Sequence, residues 1–280
     1  MFFETIDIDD SHIVQETDEV LDTRFYFDDR TPDMRYLSVT KLKDKFNTKG
    51  IEAIREWNRK NIEKYGAEEA ERMRREASAS GTRIHDAIEH SDTTKLSKKE
   101  IVRYNNLMRL VQKIDFPSQE KKILWINPDD RKMGYGGKFD MVGVVDKTQL
   151  LDAEDVPIGT DSSYHMIDWK NVGTFYSIDF YVGYYLQCAA YIAGLNQKTN
   201  CKYRICEGLL GFTTAKTLKL VHLDKRCIKW YWQNFREIVR CHTYNEEFDY
   251  EAFKNRSIGY LTEDGSIEDY LPKQVYLSNT

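Results

Sequence analysis

An α/β fold, with a mixed central sheet flanked by helices, is predicted by the order in which periodicities change along the chain. Helical periodicity dominates residues 50–114, and segments rich in β-branched and aromatic residues follow at 121–126, 137–145 and 164–170. A helix, two strands and a last helix are expected between residues 178 and 243. This succession favours a mixed sheet with helices packed on it.

The helical part of the chain has recognisable boundaries. Residues 35–46 are expected to run from an extended segment into a short helix, with Ser38 or Thr40 as the N-cap. Three longer helices are expected over 50–64, 67–91 and 96–114. The last of these helices begins with Ser97 and has Glu100 three residues later, which is the pattern of a capping box.

The composition indicates a globular, intracellular protein. The 280 residues are 41% hydrophobic and 13% aromatic, which is enough to bury a core. No apolar run approaches the ~20 residues that cross a bilayer, and the acidic start MFFETIDIDD lacks the basic region of a signal peptide. The five cysteines include no CxxC pair, which disfavours a disulfide framework or a zinc knuckle.

Charge is unevenly distributed along the chain. Residues 1–34 hold eleven Asp or Glu and two Lys or Arg, a balance of −9, so the other 246 residues hold 35 acidic and 39 basic side chains, or +4. The acidic leader is expected to be a solvated, partly disordered segment, with a nucleic-acid mimic over a basic groove as the alternative. The mildly basic body is compatible with nucleic acid as a partner.

Carboxylates that a sheet brings together are candidate ligands for a divalent cation. Asp140 lies in GYGGKFDMVGVV, where the glycines allow close backbone approach. Asp168 and Lys170 are two apart in YHMIDWK and share one face of a strand, as expected of a metal ligand next to a base or water-orienting group. Trp169 points the other way into the core, and its backbone carbonyl is free to touch the same metal. The alternative for this D-x-K is a surface ion pair.

Two helices offer further polar groups. In GTRIHDAIEH, His85 and Glu89 lie one turn apart on one face, and an imidazole supplements carboxylates at a magnesium or manganese site. In YYLQCAAYIAGL, Gln187 and Tyr191 lie one turn apart on an otherwise apolar helix, where a phosphate or Lys170 would satisfy them. The alternatives are a structural histidine and two satisfied polar groups of the core.

Five motifs follow one another along the chain. They are G-x-x-x-H (81–85), Glu120 at a strand opening, Y-x-G-x-x-D (135–140), I-D-W-K (167–170) and Q-x-x-x-Y (187–191). This succession resembles the RecB-type branch of the PD-(D/E)XK nucleases, among them phage-encoded exonucleases and the mitochondrial genome maintenance exonuclease. R-Y-L-S-V-T (35–40) and E-A-S-A-S-G-T (76–82) resemble the phage proteins too, so the similarity runs from about residue 35 to residue 245.

The resemblance implies a restriction-endonuclease-like α-β-β-β-α-β core with an N-terminal helical extension, and Mg²⁺ or Mn²⁺ as the cofactor. The implied site comprises the metal ligands His85, Asp140 and Asp168, the water-orienting Lys170, Gln187 and Tyr191 beside that lysine or the scissile phosphate, and the supporting Glu120. Glu89 is a further supporting candidate. Some relatives hold an iron-sulfur cluster with a cysteine before the first motif, but no cysteine precedes Cys188, so no cluster is expected here.

The chain is expected to divide into four regions. These are the acidic leader 1–34, a helical region 35–115 that contributes His85 and DNA contacts, the nuclease core 116–256, and a tail 257–280 that is loose or draped over the surface.

The predicted activity is metal-dependent hydrolysis of DNA, from single-stranded ends, in replication, recombination or processing. An endonuclease of the same fold and a catalytically inactive DNA-binding protein are the alternatives. DNA contacts are expected from basic, polar and aromatic side chains, which otherwise form a solvated face: Arg35, Tyr36, Ser38, Lys41, Trp57, Arg74, Arg75, Arg83 and Lys138. No membrane partner is expected, and the location is cytoplasmic, in the host cell if the protein is phage-encoded.

Overall fold

The computed structural model describes residues 3–45, 48–176, 178–248 and 272–278. Within these ranges the strands are β1 (Ile13–Asp18), β2 (Thr23–Asp28), β3 (Tyr36–Leu37), β4 (Ile114–Gln119), β5 (Lys122–Ile126), β6 (Gly134–Lys138), β7 (Met141–Asp146), β8 (Leu150–Leu151), β9 (Ser162–Asn171), β10 (Glu207–Thr213), β11 (Leu218–Leu223) and β12 (Lys273–Leu277). The helices are α1 (Val39–Asp44), α2 (Thr48–Tyr65), α3 (Ala67–His90), α4 (Lys98–Val111), α5 (Val182–Lys198) and α6 (Lys225–Thr243).

A mixed seven-stranded sheet organises the molecule, in the order β4-β7-β9-β10-β11-β12-β8. Strands β9 and β10 are parallel, and the other neighbours are antiparallel. Two smaller sheets have the orders β1-β2-β3 and β5-β6. The predicted mixed α/β class is confirmed.

Strand β9 is buried on both faces, because helices cover the sheet on both sides. Met166 belongs to the larger core cluster, which includes α5, whereas Ile167 and Trp169 pack with residues of α3 and α4. Since alternate residues of a strand share a face, Asp168 and Lys170 lie on the α5 side. The expected core position of Trp169, with 2% of its surface exposed, is confirmed.

The prediction of a solvated, partly disordered leader is wrong for residues 3–34. Strands β1 and β2 pair as an antiparallel hairpin, and Ile6, Ile8 and Ile13 are almost completely buried. A Cβ at Gly136 would lie 2.1 Å from the Cβ of Tyr26, so this glycine permits the hairpin to pack closely on β6. Glu16 of this hairpin is exposed, whereas Ile13 and Tyr26 are buried.

Two expectations about strands need correction. The segment 137–145 is not one strand, because the chain passes from β6 in the two-stranded sheet to β7 in the central sheet around Asp140. Backbone hydrogen bonds from Phe139 to Lys121 and from Glu120 to Asp140 fix this crossing. The tail is not loose throughout, because its described part contains β12, which pairs with β11 and with β8 of the long connection 146–163. Tail residues 257–271 lie outside the described residues.

The predicted helix boundaries are largely confirmed. Ser38 caps α1 by accepting a hydrogen bond from the Lys41 backbone, and Ser97 and Glu100 form the expected capping box at α4. None of the helices in the described ranges combines the length and the apolar character that crossing a membrane requires.

Candidate active site

Asp140 lies at the centre of the candidate site, in the link between β6 and β7. Its Oδ2 accepts a hydrogen bond from the backbone N–H of Trp169 at 2.9 Å, which fixes the carboxylate against β9. Its Oδ1 lies 3.5 Å from Nδ1 of His85 on α3. Only 8% of Asp140 is exposed, so this carboxylate faces a mostly enclosed space.

His85 and Glu120 complete one side of the site. The His85 Nδ1 is 3.8 Å from Oε1 of Glu120, and its ring packs 5.5 Å from the Trp169 ring between centroids. Glu120 also pairs with Lys138. Glu120 does not open a strand but lies between β4 and β5 with φ of 43°, a left-handed conformation that costs a non-glycine residue on the order of 1 kcal/mol. The surrounding structure therefore holds the Glu120 backbone in a conformation that is unfavourable by itself.

Asp168 and Lys170 form a buried ion pair, with 2.7 Å between Oδ2 and Nζ. The alternative of a surface ion pair is wrong, because Asp168 is 1% exposed. Among the described residues, Oδ1 of Asp168 has no hydrogen-bond partner, and Oδ2 contacts the Lys170 ammonium. Buried carboxylates usually accept several hydrogen bonds, so the oxygens of Asp168 retain capacity for a ligand.

The charges of this pair shift both pKa values. Burial raises the pKa of Asp168 to about 6, with Lys170 opposing the rise and Asp140 adding to it. Burial disfavours the charged form of Lys170, but the carboxylates of Asp168 and Asp140 outweigh it and raise the pKa of that ammonium. Lys170 is therefore a fixed positive charge at neutral pH, suited to orienting or stabilising negative groups.

Gln187 and Tyr191 lie together on the α5 face that covers the pair. Gln187 Nε2 donates to the Tyr191 hydroxyl at 2.8 Å, and Gln187 Oε1 is buried without a hydrogen bond to any described residue. Burial and the charge of Asp168 raise the pKa of Tyr191, so the phenol stays protonated. A Cβ on Gly137 would lie 2.6 Å from the Tyr191 ring, so only glycine leaves room for it.

Tyr184 is a site residue that sequence reasoning missed. The Lys170 ammonium lies over its ring at 5.3 Å from the centroid, and the Lys43 ammonium lies 5.0 Å from the same centroid. Its position three residues before Gln187 on one helix was the available signal. Tyr184 also lines an open cavity of about 380 Å³, together with Trp57, Tyr176 and the chain after β9.

Of the residues predicted to contact DNA, two are buried, and several others form ion pairs or hydrogen bonds within the protein. Tyr36 is 5% exposed and its hydroxyl donates to the carbonyl of Arg131, and Ser38 is 3% exposed as the α1 cap, so their assignment as DNA contacts is corrected. Arg35 pairs with Glu16, and Lys41 donates to the Asp22 carbonyl. Arg74 and Arg75 pair with Glu71, and Arg83 pairs with Glu76 and Glu100. Glu89 is exposed on α3.

The side chains at this site include types that divalent cations bind in proteins. Asp140, Asp168 and Glu120 offer carboxylate oxygens, His85 offers an imidazole nitrogen, and Oδ1 of Asp168 has no hydrogen-bond partner among the described residues. Oxygen-rich sites with one imidazole suit Mg²⁺ or Mn²⁺. The site therefore combines carboxylate oxygens, the Lys170 ammonium and an open cavity lined by aromatic rings.

Neither the comparison with protein-family models nor the search of curated proteins finds a match to this chain. The geometry of the site is therefore the basis for inferring a function.

Proposed function

We propose that this protein is a metal-dependent deoxyribonuclease with a restriction-endonuclease-like core, which hydrolyses phosphodiester bonds from single-stranded DNA ends. The observation that supports this most is the buried Asp168 carboxylate, whose Oδ1 has no hydrogen-bond partner among the described residues and whose Oδ2 pairs with Lys170, beside Asp140. A carboxylate with spare acceptor capacity next to a second acid and an ammonium suits a cation that binds an anionic substrate.

The succession of elements agrees with the proposal. In chain order, helix α4 is followed by strands β4, β7 and β9, helix α5 and strand β10, with β5, β6 and β8 in between, and β4, β7, β9 and β10 are neighbours in that order. This order is compatible with an α-β-β-β-α-β core, in which Asp140 precedes β7 and Asp168 lies on the adjacent strand β9.

His85, Asp140 and Asp168 would hold the Mg²⁺ or Mn²⁺ ion, with Glu120 beside them and the Trp169 carbonyl as a further candidate. When bound, such an ion polarises a phosphoryl oxygen and acidifies water. The Trp169 N–H orients the Asp140 carboxylate, and Lys170 orients water and stabilises developing negative charge. Gln187 donates a hydrogen bond to Tyr191, and these two side chains would steady Lys170 or the scissile phosphate.

The aromatic cavity supports single-stranded DNA as the substrate. Its rings include Trp57, which is 42% exposed, Tyr176 at 55%, and Tyr184, which also contacts Lys170. Exposed rings bind unstacked bases, which a duplex does not offer. A strand that places a base in this cavity would bring an adjacent phosphate near Lys170.

The decisive experiment is digestion of end-labelled linear and circular single-stranded DNA with Mg²⁺, Mn²⁺ or EDTA. We expect cleavage with either metal and none in EDTA, with the linear form degraded and the circular form intact. Cleavage of circles would favour the endonuclease alternative. Robust cleavage in EDTA would contradict the metal mechanism, and DNA binding without cleavage under every condition would favour an inactive DNA-binding protein.

Trp57 offers a separate test of the DNA path. Trp57→Ala should weaken binding of single-stranded DNA about tenfold, within the range for losing one base-stacking ring. Tyr65→Ala is the matched control, because Tyr65 is exposed on the same helix but does not line the cavity. Equal losses in both variants, measured by fluorescence anisotropy, would argue against the cavity as a base site.

A further inference from the structure

A second cluster of metal-binding side chains lies on the face of the central sheet opposite Asp168. It consists of His165 on β9, Glu207 on β10 and His222 on β11, three neighbouring strands. Oε2 of Glu207 lies 3.0 Å from Nε2 of His165 and 3.2 Å from Nε2 of His222. His165 is fully buried, and His222 is 7% exposed.

The tautomer of His165 leaves a lone pair inside the cluster. Its Nδ1 lies 3.0 Å from the Ser163 carbonyl oxygen, which only accepts, so Nδ1 is assigned the proton. In the neutral ring Nε2 is then unprotonated and faces the Glu207 carboxylate, and this nitrogen has no geometrically sound hydrogen bond to the described residues. A lone pair aimed at an anionic oxygen is unfavourable unless a proton or a metal cation lies between them.

The surroundings resemble the support that metal ligands receive. The other Glu207 oxygen, Oε1, accepts a hydrogen bond from Lys147 at 3.2 Å, which orients the carboxylate and leaves Oε2 toward the imidazoles. Lys147 is itself paired with Asp161 at 3.0 Å.

We propose that His165, Glu207 and His222 bind one divalent transition-metal ion, with Zn²⁺ preferred and water as the fourth ligand. Two imidazoles and one carboxylate suit a tetrahedral Zn²⁺ site and are a poor match for Mg²⁺. The three ligand atoms lie within 4.8 Å of one another, so small rotations bring them to a common ion. The ion would tie β9, β10 and β11 together, and it does not depend on the proposed nuclease activity.

The test is Zn²⁺ titration of EDTA-treated, dialysed full-length protein by calorimetry, beside the variants His222→Gln, Glu207→Gln and Asp168→Asn. We expect one strong Zn²⁺ site in the wild type and in Asp168→Asn, and an affinity at least about 100-fold lower in His222→Gln and Glu207→Gln. His90→Ala is the matched control, because His90 is exposed on α3, and it should bind as the wild type does. Co²⁺ substitution should give the visible spectrum of a four-coordinate site, which reads the site directly even if a variant is less stable.

Two results would overturn the proposal. Zn²⁺ binding that is unchanged in both His222→Gln and Glu207→Gln would mean that the cluster shares a proton instead of a metal. Binding that disappears in Asp168→Asn but survives in His222→Gln would assign the ion to the candidate active site. Since nuclease activity is not measured here, failure of the zinc site and failure of the proposed function remain distinguishable.

Discussion

Asp168, which is buried, and Glu207, which is partly buried, are acids on adjacent parallel strands, yet their surroundings differ. Among the described residues, Asp168 pairs with Lys170 through Oδ2, and its Oδ1 has no hydrogen-bond partner. Glu207, in contrast, accepts hydrogen bonds from Lys147, Ser163 and His222. Burial raises the pKa of Asp168 to about 6. Burial also opposes ionisation of Glu207, but the contacts with His165 and His222 outweigh it and lower its pKa.

The difference teaches how to separate a carboxylate kept for a ligand from one that stabilises the fold. An acid with an unused acceptor oxygen can bind a ligand in addition to its ion-pair partner, whereas an acid with several internal partners mainly stabilises the fold. Substitutions at the two positions should therefore affect different measurements.

The largest effect is expected for Asp168→Ala. Losing this ligand should weaken Mn²⁺ binding and lower the single-turnover cleavage rate by about 10³-fold or more, since metal-assisted charge stabilisation is worth several kcal/mol. Calorimetry and rapid-quench cleavage measure the two quantities. If Asp168→Ala binds Mn²⁺ normally and still cleaves, the contrast with Glu207 fails and the active site lies elsewhere.

Glu207→Ala should instead lower the free energy of unfolding, by about 3 kcal/mol in EDTA, because it leaves Lys147 and two histidines without their shared partner. Glu246→Ala, which removes an exposed partner of Arg240, should cost less than about 1 kcal/mol. Urea unfolding of both variants gives the comparison. A Glu207→Ala protein as stable as the wild type would contradict the claim that Glu207 stabilises the fold.

How far the sequence predicted these sites depends on how local their signals are. The Asp168–Lys170 pair, the Gln187–Tyr191 pair and the Ser97 cap lie within single elements, so strand or helix spacing was sufficient. The meeting of His85, Glu120 and Asp140 came from a family resemblance, and the structure brings these side chains together.

Other features needed information that spacing does not contain. His165, Glu207 and His222 become neighbours only through the order of β9, β10 and β11, which one sequence does not reveal. The hairpin β1–β2 was not predicted because of its acidic content, although Ile13 and Tyr26 on one of its faces are buried. Burial of Tyr36 depends on its contact with the glycine-rich β6, which spacing does not predict.

Lys170→Ala sharpens the contrast within the candidate active site. Removing the ammonium should leave Mn²⁺ binding intact or tighter, because a positive charge near the ion is lost, and should lower the cleavage rate by about 10²-fold. Trp169→Phe, on the opposite face, should affect stability more than chemistry. A wild-type cleavage rate in Lys170→Ala would mean that this lysine pairs with Asp168 but takes no part in cleavage.

The smallest effect is expected at Glu100, a buried acid whose partners are all internal and which serves as the structural reference. Its Oε2 accepts from the Ser97 backbone at 2.8 Å and its Oε1 accepts from Arg83 at 2.7 Å. Burial opposes ionisation, but the hydrogen bonds from Ser97 and Arg83 outweigh it and lower the pKa of Glu100 from 4.5 to about 2. Because the folded-state value is the lower one, this stabilisation is fully present above pH 4.5 and is lost as the pH falls toward 2.

Glu100→Gln should therefore cost about 2 kcal/mol of unfolding free energy at pH 7, and its difference from the wild type should shrink as the pH falls from 4.5 toward 2. Glu76→Gln is the matched control, because Glu76 pairs with the same Arg83 but its side chain is 64% exposed, and it should have little effect at either pH. Urea unfolding at pH 7 and pH 3 measures both. Cleavage per folded molecule should be unchanged, since Glu100 has no unused acceptor capacity comparable with that of Asp168. A cleavage defect in Glu100→Gln at full folding would show that hydrogen-bond satisfaction does not separate structural from functional carboxylates in this protein.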